Sequence, residues 1–313
     1  MRFLVFGTGG VGGFFGAKLA HAGNDVWFVA RGEHLRAMKS GGLRVRSTEG
    51  EFVIPPGKMT DVPQGSGPVD VVLFCVKSYD TETAAQQLVA VLDKNSVVLS
   101  LQNGVDNEEK ISRIIPHARV YGGVAYVSAR ITAPGEITET GGFHRIVFGP
   151  MDGAIDERSR EIHRLLVGAG IKCDLREKVL NDLWNKFVFI TSMGSFTAVS
   201  RLTQGEIIAQ PETISAVFRA MHEVEALAWK QGVDIEPLNE AKMLENLKRF
   251  DPDTRSSMYY DLVAQNPLEV EALNGTVVRL GKEVGVPTPV HNVIYAALLP
   301  YHLKHLRLRQ IPS

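Results

Sequence analysis

The N-terminal segment constrains the fold most. Arg2-Phe3-Leu4-Val5-Phe6 is a short apolar run suited to a buried strand or a short buried helical segment, and it passes directly into Gly7-Thr8-Gly9-Gly10-Val11-Gly12. From Val11 to Ala22 the chain reads as a helix with Phe14, Phe15, Leu19 and Ala22 on one side. Strand, G-x-G-x-x-G turn and helix, in that order, form the context in which this motif binds a dinucleotide. Gly7 permits the tight turn, Gly9 has no side chain to block a pyrophosphate, and Gly12 lets helix and strand pack closely. The pyrophosphate then rests on the unbonded N–H groups of the helix start. Gly7, Thr8, Gly9, Gly10, Val11 and Gly12 are therefore the expected cofactor loop. The competing reading is a glycine turn without a ligand.

The next strand candidate, Val26–Ala30, narrows the cofactor. An NAD-type site carries an acidic residue near the end of this strand, where it accepts from the ribose 2′-hydroxyl. Here that end reads Ala30-Arg31-Gly32. Arg31 pairs with a 2′-phosphate through charge-assisted hydrogen bonds, so NADP(H) is expected over NAD(H). Glu33 is the alternative, as a displaced acidic residue, and Arg31 could also be an ordinary surface arginine.

Bulk properties exclude several classes. The 313 residues suggest about two domains. With 34 basic and 35 acidic residues the net charge is -1, which offers no field for nucleic acid or an anionic membrane. Cys75 and Cys173 cannot form a disulfide framework and have no metal spacing. His21, His117, His144 and His222 are scattered, so no metal is expected. No apolar run reaches the roughly 20 residues that span a bilayer. The chain opens on its first strand, so no signal peptide is expected and the cytoplasm is the expected location.

Two patterns divide the chain. Strand candidates Leu4–Phe6, Val26–Ala30, Val69–Val76, Val97–Leu101, Arg119–Val127, Glu136–Thr140 and Ile146–Phe148 alternate with helical segments. The continuous apolar runs among them suit strands covered on both faces, with Cys75 as a small core residue inside one of them. From Lys178 onward helical segments dominate, divided by Pro211, Pro237, Pro252, Pro267 and Pro287 into helices of roughly 15–25 residues. The expected fold is α/β: an N-terminal Rossmann-type parallel-sheet domain, 1–176, and an all-helical C-terminal substrate and catalytic domain, 177–313. A substrate site is expected between them.

Three clusters carry further chemistry. Lys77 closes the Val69–Val76 run, where ligands of open α/β sheets bind; a snorkelling lysine is the alternative. Asn103, in Gln102-Asn103-Gly104, offers amide donors and an acceptor at the same sheet edge, although Asn-Gly is also a plain turn signal. Lys186 lies beside the apolar run Phe187–Ile190. A buried lysine loses affinity for its proton and can serve as a general acid near neutral pH, whereas one on a solvated helix edge cannot.

Taken in order, these features resemble the 2-dehydropantoate 2-reductase (ketopantoate reductase) family over nearly the whole chain. The resemblance rests on Gly7–Gly12, Arg31, Val76-Lys77, Gln102–Gly104, Lys186, Ser256-Ser257-Met258 with Asp261, and Glu269 ahead of Asn274-Gly275. It implies NADPH-dependent reduction of ketopantoate to pantoate, in pantothenate and coenzyme A biosynthesis. Gly7–Gly12, Arg31 and Lys77 would hold the cofactor, and Asn103 would touch both cofactor and substrate. Lys186 would donate the proton, and Ser257 would bind the polar end of the substrate. Glu269 would hold the nicotinamide ribose and orient Lys186. The implied partner is a small 2-oxo acid, with a homodimer as the permitted assembly.

The chain departs from the family in one place. The best-known family members carry asparagines four and eight residues after the lysine; here those positions are Ile190 and Gly194, and neither side chain can hydrogen-bond. Thr191, Ser192 and Ser195 point elsewhere on an ideal helix. The departure keeps open a related reductase acting on a different branched 2-oxo acid, with Arg255 as a candidate carboxylate clamp or a plain surface arginine. A non-catalytic NADPH-binding sensor would need neither Lys186 nor Glu269. The basic terminal stretch Tyr301–Arg309 is expected to be a solvated helix.

Overall fold

The structure, a computed structural model, describes residues 1–309; the end of the expected helical domain, 310–313, lies outside the described residues. Two compact units are present, one comprising 1–102 and 106–182, the other 103–105 and the chain from Leu183 onward.

The first unit contains β1 (Arg2–Phe6), β2 (Asp25–Val29), β3 (Leu43–Ser47), β4 (Gly50–Ile54), β5 (Met59–Thr60), β6 (Val71–Phe74), β7 (Val97–Ser100), β8 (Arg119–Tyr126), β9 (Ala129–Ala133), β10 (Glu136–Glu139), β11 (Arg145–Pro150) and β12 (Lys172–Leu175). Eight strands form one sheet in the order β12-β11-β8-β7-β6-β1-β2-β5. All its pairings are parallel except β8 with β11. Strands β1, β6 and β7 are almost wholly buried because helices cover both faces. The chain runs from β1 outward to β2, then crosses back to β6 on the other side of β1. The carboxyl ends of β1 and β6 therefore flank the topological switch point, where open sheets of this kind bind ligands.

The helices of this unit are α1 (Gly10–His21), α2 (Gly32–Gly41), α3 (Thr81–Leu88), α4 (Asn107–Ile114) and α5 (Glu157–Gly168). Buried Phe14, Phe15 and Leu19 confirm the apolar side expected of α1, but Ala22 lies beyond the helix and is exposed. A second, four-stranded sheet, β4-β3-β10-β9, was not expected from sequence. Strand β3 alternates buried and exposed residues, as a one-sided strand does. Its outward arginines, Arg44 and Arg46, pair with Glu51 on β4, so the charges that obscured the strand in sequence are its cross-strand contacts. A Cβ added at Gly10 would collide with Ala129 on β9, and one at Gly16 with Val5 on β1. Helix α1 is thus held between the two sheets by residues without side chains.

The expected strand Val69–Val76 is shorter in the structure. Cys75 lies one residue past β6 and is only partly buried. Burial pushes its thiol well above the ordinary range, and that of Cys173 up to about 12, so neither is a thiolate at neutral pH.

The chain continues in α6 (Val179–Phe189), a π-turn at Ile190–Gly194, α7 (Ser195–Ser200), α8 (Gln204–Ala209), α9 (Pro211–Lys230), α10 (Glu240–Leu247) and α11 (Ser257–Val263). A second π-turn at Glu271–Gly275, α12 (Thr276–Val284) and α13 (Pro289–Arg309) complete it. The C-terminal region is helical, as expected. Only α9, with 20 residues, and α13, with 21, reach the expected length; capping residues Thr203, Asn239 and Ser256 start shorter helices between the prolines. Pro300 sits inside α13 without ending it. No helix among the described residues is long and apolar enough to cross a membrane. No cluster of His, Cys, Asp and Glu among them could hold a metal ion.

Candidate active site

The glycine loop leaves β1 with Gly7 at φ +100°, a conformation L side chains rarely adopt. A Cβ there would lie 2.7 Å from the Cys75 and Val76 backbone, so the loop lies directly against the end of β6. Thr8 is buried and fastens the turn to β2, with its N–H and its Oγ1 both donating to the Val29 carbonyl over 3.0 and 2.9 Å. A Cβ at Gly12 would strike the Gly7 carbonyl, whereas one at Gly9 would meet nothing within 4 Å. Gly12 is therefore a packing glycine, and Gly9 leaves open space at the start of α1. That helix has no side-chain cap and no acidic residue in its first turn, so its N–H groups suit an anion. This cradle fits the pyrophosphate of a dinucleotide.

Arg31 is exposed and immediately precedes α2. With Gly32, Leu35, Arg36, Lys39, Asp61 and Val62 it lines one open cleft. Three cations against a single carboxylate make the cleft electropositive. Glu33, the alternative acidic residue, pairs with Arg36. Arg36 and Lys39 escaped the sequence reading. Their signal was the spacing of Gly32 with Arg36 and Leu35 with Lys39, which puts successive helical turns on one face.

Lys77 follows β6 and leads into a short 3-10 turn, Ser78–Asp80. The buried Gln102 amide donates to the Val76 carbonyl over 2.9 Å and to Thr81 Oγ1 over 2.8 Å. It thereby ties the loop after β7 to the loop carrying Lys77. Asn103, the next residue, is partly buried. Gln102 was noted in sequence only as part of a motif; its bond to Val76 explains why an amide stands there.

In the second unit, Lys186 is half-buried on α6, between Asn185, which is exposed, and Phe187, which is fully buried. Burial pushes its ammonium down to about 8, while the charge of Glu269 acts in the opposite direction. Glu269 is itself buried, at 7% exposure. Lys186 and Glu269 are 83 residues apart in sequence and electrostatically coupled in the fold.

Beyond Lys186 the helix is not ideal. The π-turn at Ile190–Gly194 interrupts the α-helical period, so the register of an ideal helix does not carry through to Ser195. Thr191 Oγ1 donates to the Phe187 carbonyl over 2.7 Å, and Ser195 Oγ donates to Asn274 Oδ1 over 2.7 Å. Both hydroxyls are fully buried and committed within the fold. A Cβ at Gly194 would meet only Ser256 Cβ, at 3.6 Å, so this position leaves room. Ser256 caps α11 by accepting from Tyr259 N–H over 3.1 Å and donates to the Gly194 carbonyl over 2.7 Å. Ser257, the expected substrate contact, is exposed on the first turn of α11. The Arg255 guanidinium lies over the Tyr259 ring, 5.0 Å from its centroid.

Comparison with known proteins gives the family. Residues 3–153 match the family described as Ketopantoate reductase PanE/ApbA, and residues 178–302 match its C-terminal counterpart. A 2-dehydropantoate 2-reductase of Archaeoglobus fulgidus is 31% identical over 294 residues, spanning 94% of this chain and 95% of its own. The crystal structure of a PanE/ApbA family ketopantoate reductase from Ralstonia eutropha JMP134 superposes with a TM-score of 0.89 at 28% identity, covering 98% of this chain and 100% of that one. The ternary structure of D-mandelate dehydrogenase with NADH and anilino(oxo)acetate has a TM-score of 0.87 at 20% identity, covers 98% of this chain and 100% of its own, and shares the fold. With a glycine cradle for a dinucleotide and a half-buried lysine coupled to a glutamate, this chain belongs to the ketopantoate reductase family of nicotinamide-dependent oxidoreductases.

Proposed function

We propose that the protein uses NADPH to reduce 2-dehydropantoate to pantoate, a step of pantothenate and coenzyme A biosynthesis, with Lys186 as general acid. The observation that carries this reading is the burial of Lys186 beside Glu269, which brings its ammonium down to about 8, where a lysine exchanges protons near neutral pH. A bound nicotinamide would supply the hydride that reaches C2 of the substrate. Lys186 Nζ donates the proton to the carbonyl oxygen, which becomes the C2 hydroxyl, and its charge stabilises that oxygen as negative charge builds. Glu269 favours the protonated form of Lys186 and would hold the nicotinamide ribose. Gly7–Gly12 hold the pyrophosphate, and Lys77 and Asn103 contact the cofactor from the strand ends. Arg31, with Arg36 and Lys39 beside it, takes the 2′-phosphate and selects NADPH over NADH. Asn103 and Ser257 would hold the polar groups of the substrate.

Gly194 supports a second reading, reduction of a different branched 2-oxo acid. The Ile190 and Gly194 side chains offer no hydrogen bond, and a Cβ at Gly194 would meet only Ser256 Cβ within 4 Å. NADPH oxidation with ketopantoate, beside a panel of 2-oxo acids without the hydroxyl, separates the two.

A further inference from the structure

The segment from Ala264 to Val270, between α11 and the second π-turn, belongs to no helix or strand and carries Gln265 at φ +58°. Backbone without a ladder needs other partners to hold one conformation. Two histidines of the terminal helix α13 provide them. His302 Nδ1 accepts from the Leu268 N–H over 3.1 Å, and His305 Nδ1 donates to the Asn266 carbonyl over 2.8 Å. Both rings are buried, at 3% exposure each, so the stretch expected to be a solvated helix has an inward face. The partners require different tautomers, with the ring proton on Nε2 in neutral His302 and on Nδ1 in His305.

The segment ends at Glu269. Leu268 is fully buried, and the Glu269 carbonyl accepts from Leu273 N–H over 3.0 Å at the entry to the π-turn. The backbone is therefore fixed on both sides of the glutamate, on one side by His302. We propose that His302 is the positioning residue of the Lys186–Glu269 pair, its Nδ1 lone pair holding the Leu268–Glu269 backbone so that the carboxylate stays within reach of the ammonium. This rests on the reading of Lys186 as proton donor. Coupling between buried charges falls with distance, so a displaced Glu269 supports the protonated lysine less. Burial lowers the pKa of His302 and favours the neutral ring; the charge of Glu271 and the hydrogen bond with the Leu268 backbone act the other way, and His305 acts with burial.

The test is an amide pair at this position. In His302→Asn, Oδ1 stands where Nδ1 stands and still accepts; in His302→Gln the acceptor is shifted to the Nε2 position and cannot. The readout is the pH dependence of Lys186 acylation by acetic anhydride in the full-length protein, followed by mass spectrometry. His302→Gln is expected to move the midpoint to lower pH, with His302→Asn at the wild-type midpoint. Misplacement of this kind is also expected to cost His302→Gln about tenfold in kcat with ketopantoate. Equal midpoints in both variants and wild type overturn the proposal, even if thermal stability falls. Full turnover by Lys186→Ala overturns instead the proton-donor reading beneath it, and the acylation midpoints still judge His302 separately.

Discussion

The side-chain amide of Asn274 donates to the backbone carbonyl of Thr191 over 3.0 Å, joining two π-turns that are far apart in the sequence. Its Oδ1 accepts from Ser195 Oγ, and no atom of Asn274 reaches solvent. π-Turns leave backbone groups outside the regular α-helical pattern, and this amide satisfies one of them, the Thr191 carbonyl, while its oxygen takes the Ser195 hydroxyl. Asn274→Leu strands a buried hydroxyl and a buried carbonyl. It should destabilise the protein by about 2–4 kcal/mol, read from the urea midpoint. A loss within about 0.5 kcal/mol would mean that other groups satisfy both.

Lys186 should set the alkaline side of the pH profile. Reduction needs the protonated ammonium, and burial brings its pKa to about 8. The rate of reduction should therefore be flat below that pH and fall above it, and the reverse oxidation should rise through the same range. Lys186→Ala should lower kcat by roughly 10²–10⁴ with NADPH binding intact. A variant with wild-type turnover would remove Lys186 as the general acid.

The glycines of the cofactor loop should separate by role. Gly9→Ala adds a methyl to open space, so the fold should persist while NADPH binding is lost. In Gly12→Ala the methyl meets the Gly7 carbonyl, so the protein should lose stability as well as binding. Thermal melts with and without NADPH distinguish them. A Gly9→Ala protein that still gains stability from NADPH would move the pyrophosphate elsewhere.

Arg31→Ala should weaken NADPH by roughly 10- to 100-fold, the worth of a charge-assisted hydrogen bond, and leave NADH nearly unchanged. Arg36→Ala should repeat this more weakly, since Glu33 already neutralises part of its charge. Equal losses for both cofactors would remove the 2′-phosphate assignment.

The parallel sheet was legible because β1, β6 and β7 are buried on both faces and read as unbroken apolar runs. The small sheet was not, although its strand β10 falls within the expected strand Glu136–Thr140. Its strands β3 and β9 expose arginines or threonines along one face, and β10 pairs with β3 across about ninety residues of chain. At the site, the apolar neighbours of Lys186 left a solvated helix edge open, and the family resemblance singled it out; Arg36 and Lys39 resembled an ordinary solvated helix face. The π-turns have no local signature, so the placing of Thr191 and Ser195 by ideal-helix geometry could not anticipate their bonds to Phe187 and Asn274. The inward face of α13 was hidden by its basic residues, Lys304, Arg307 and Arg309, which surround the two buried histidines.

The most direct measurement is NADPH oxidation, followed by absorbance, with ketopantoate beside a panel of branched and aromatic 2-oxo acids. The account predicts NADPH-dependent turnover that is most efficient with ketopantoate, which would mean that Ile190 and Gly194 are tolerated in its pocket. A better substrate elsewhere in the panel would keep the reaction and replace the substrate. No NADPH oxidation with any 2-oxo acid would contradict the account.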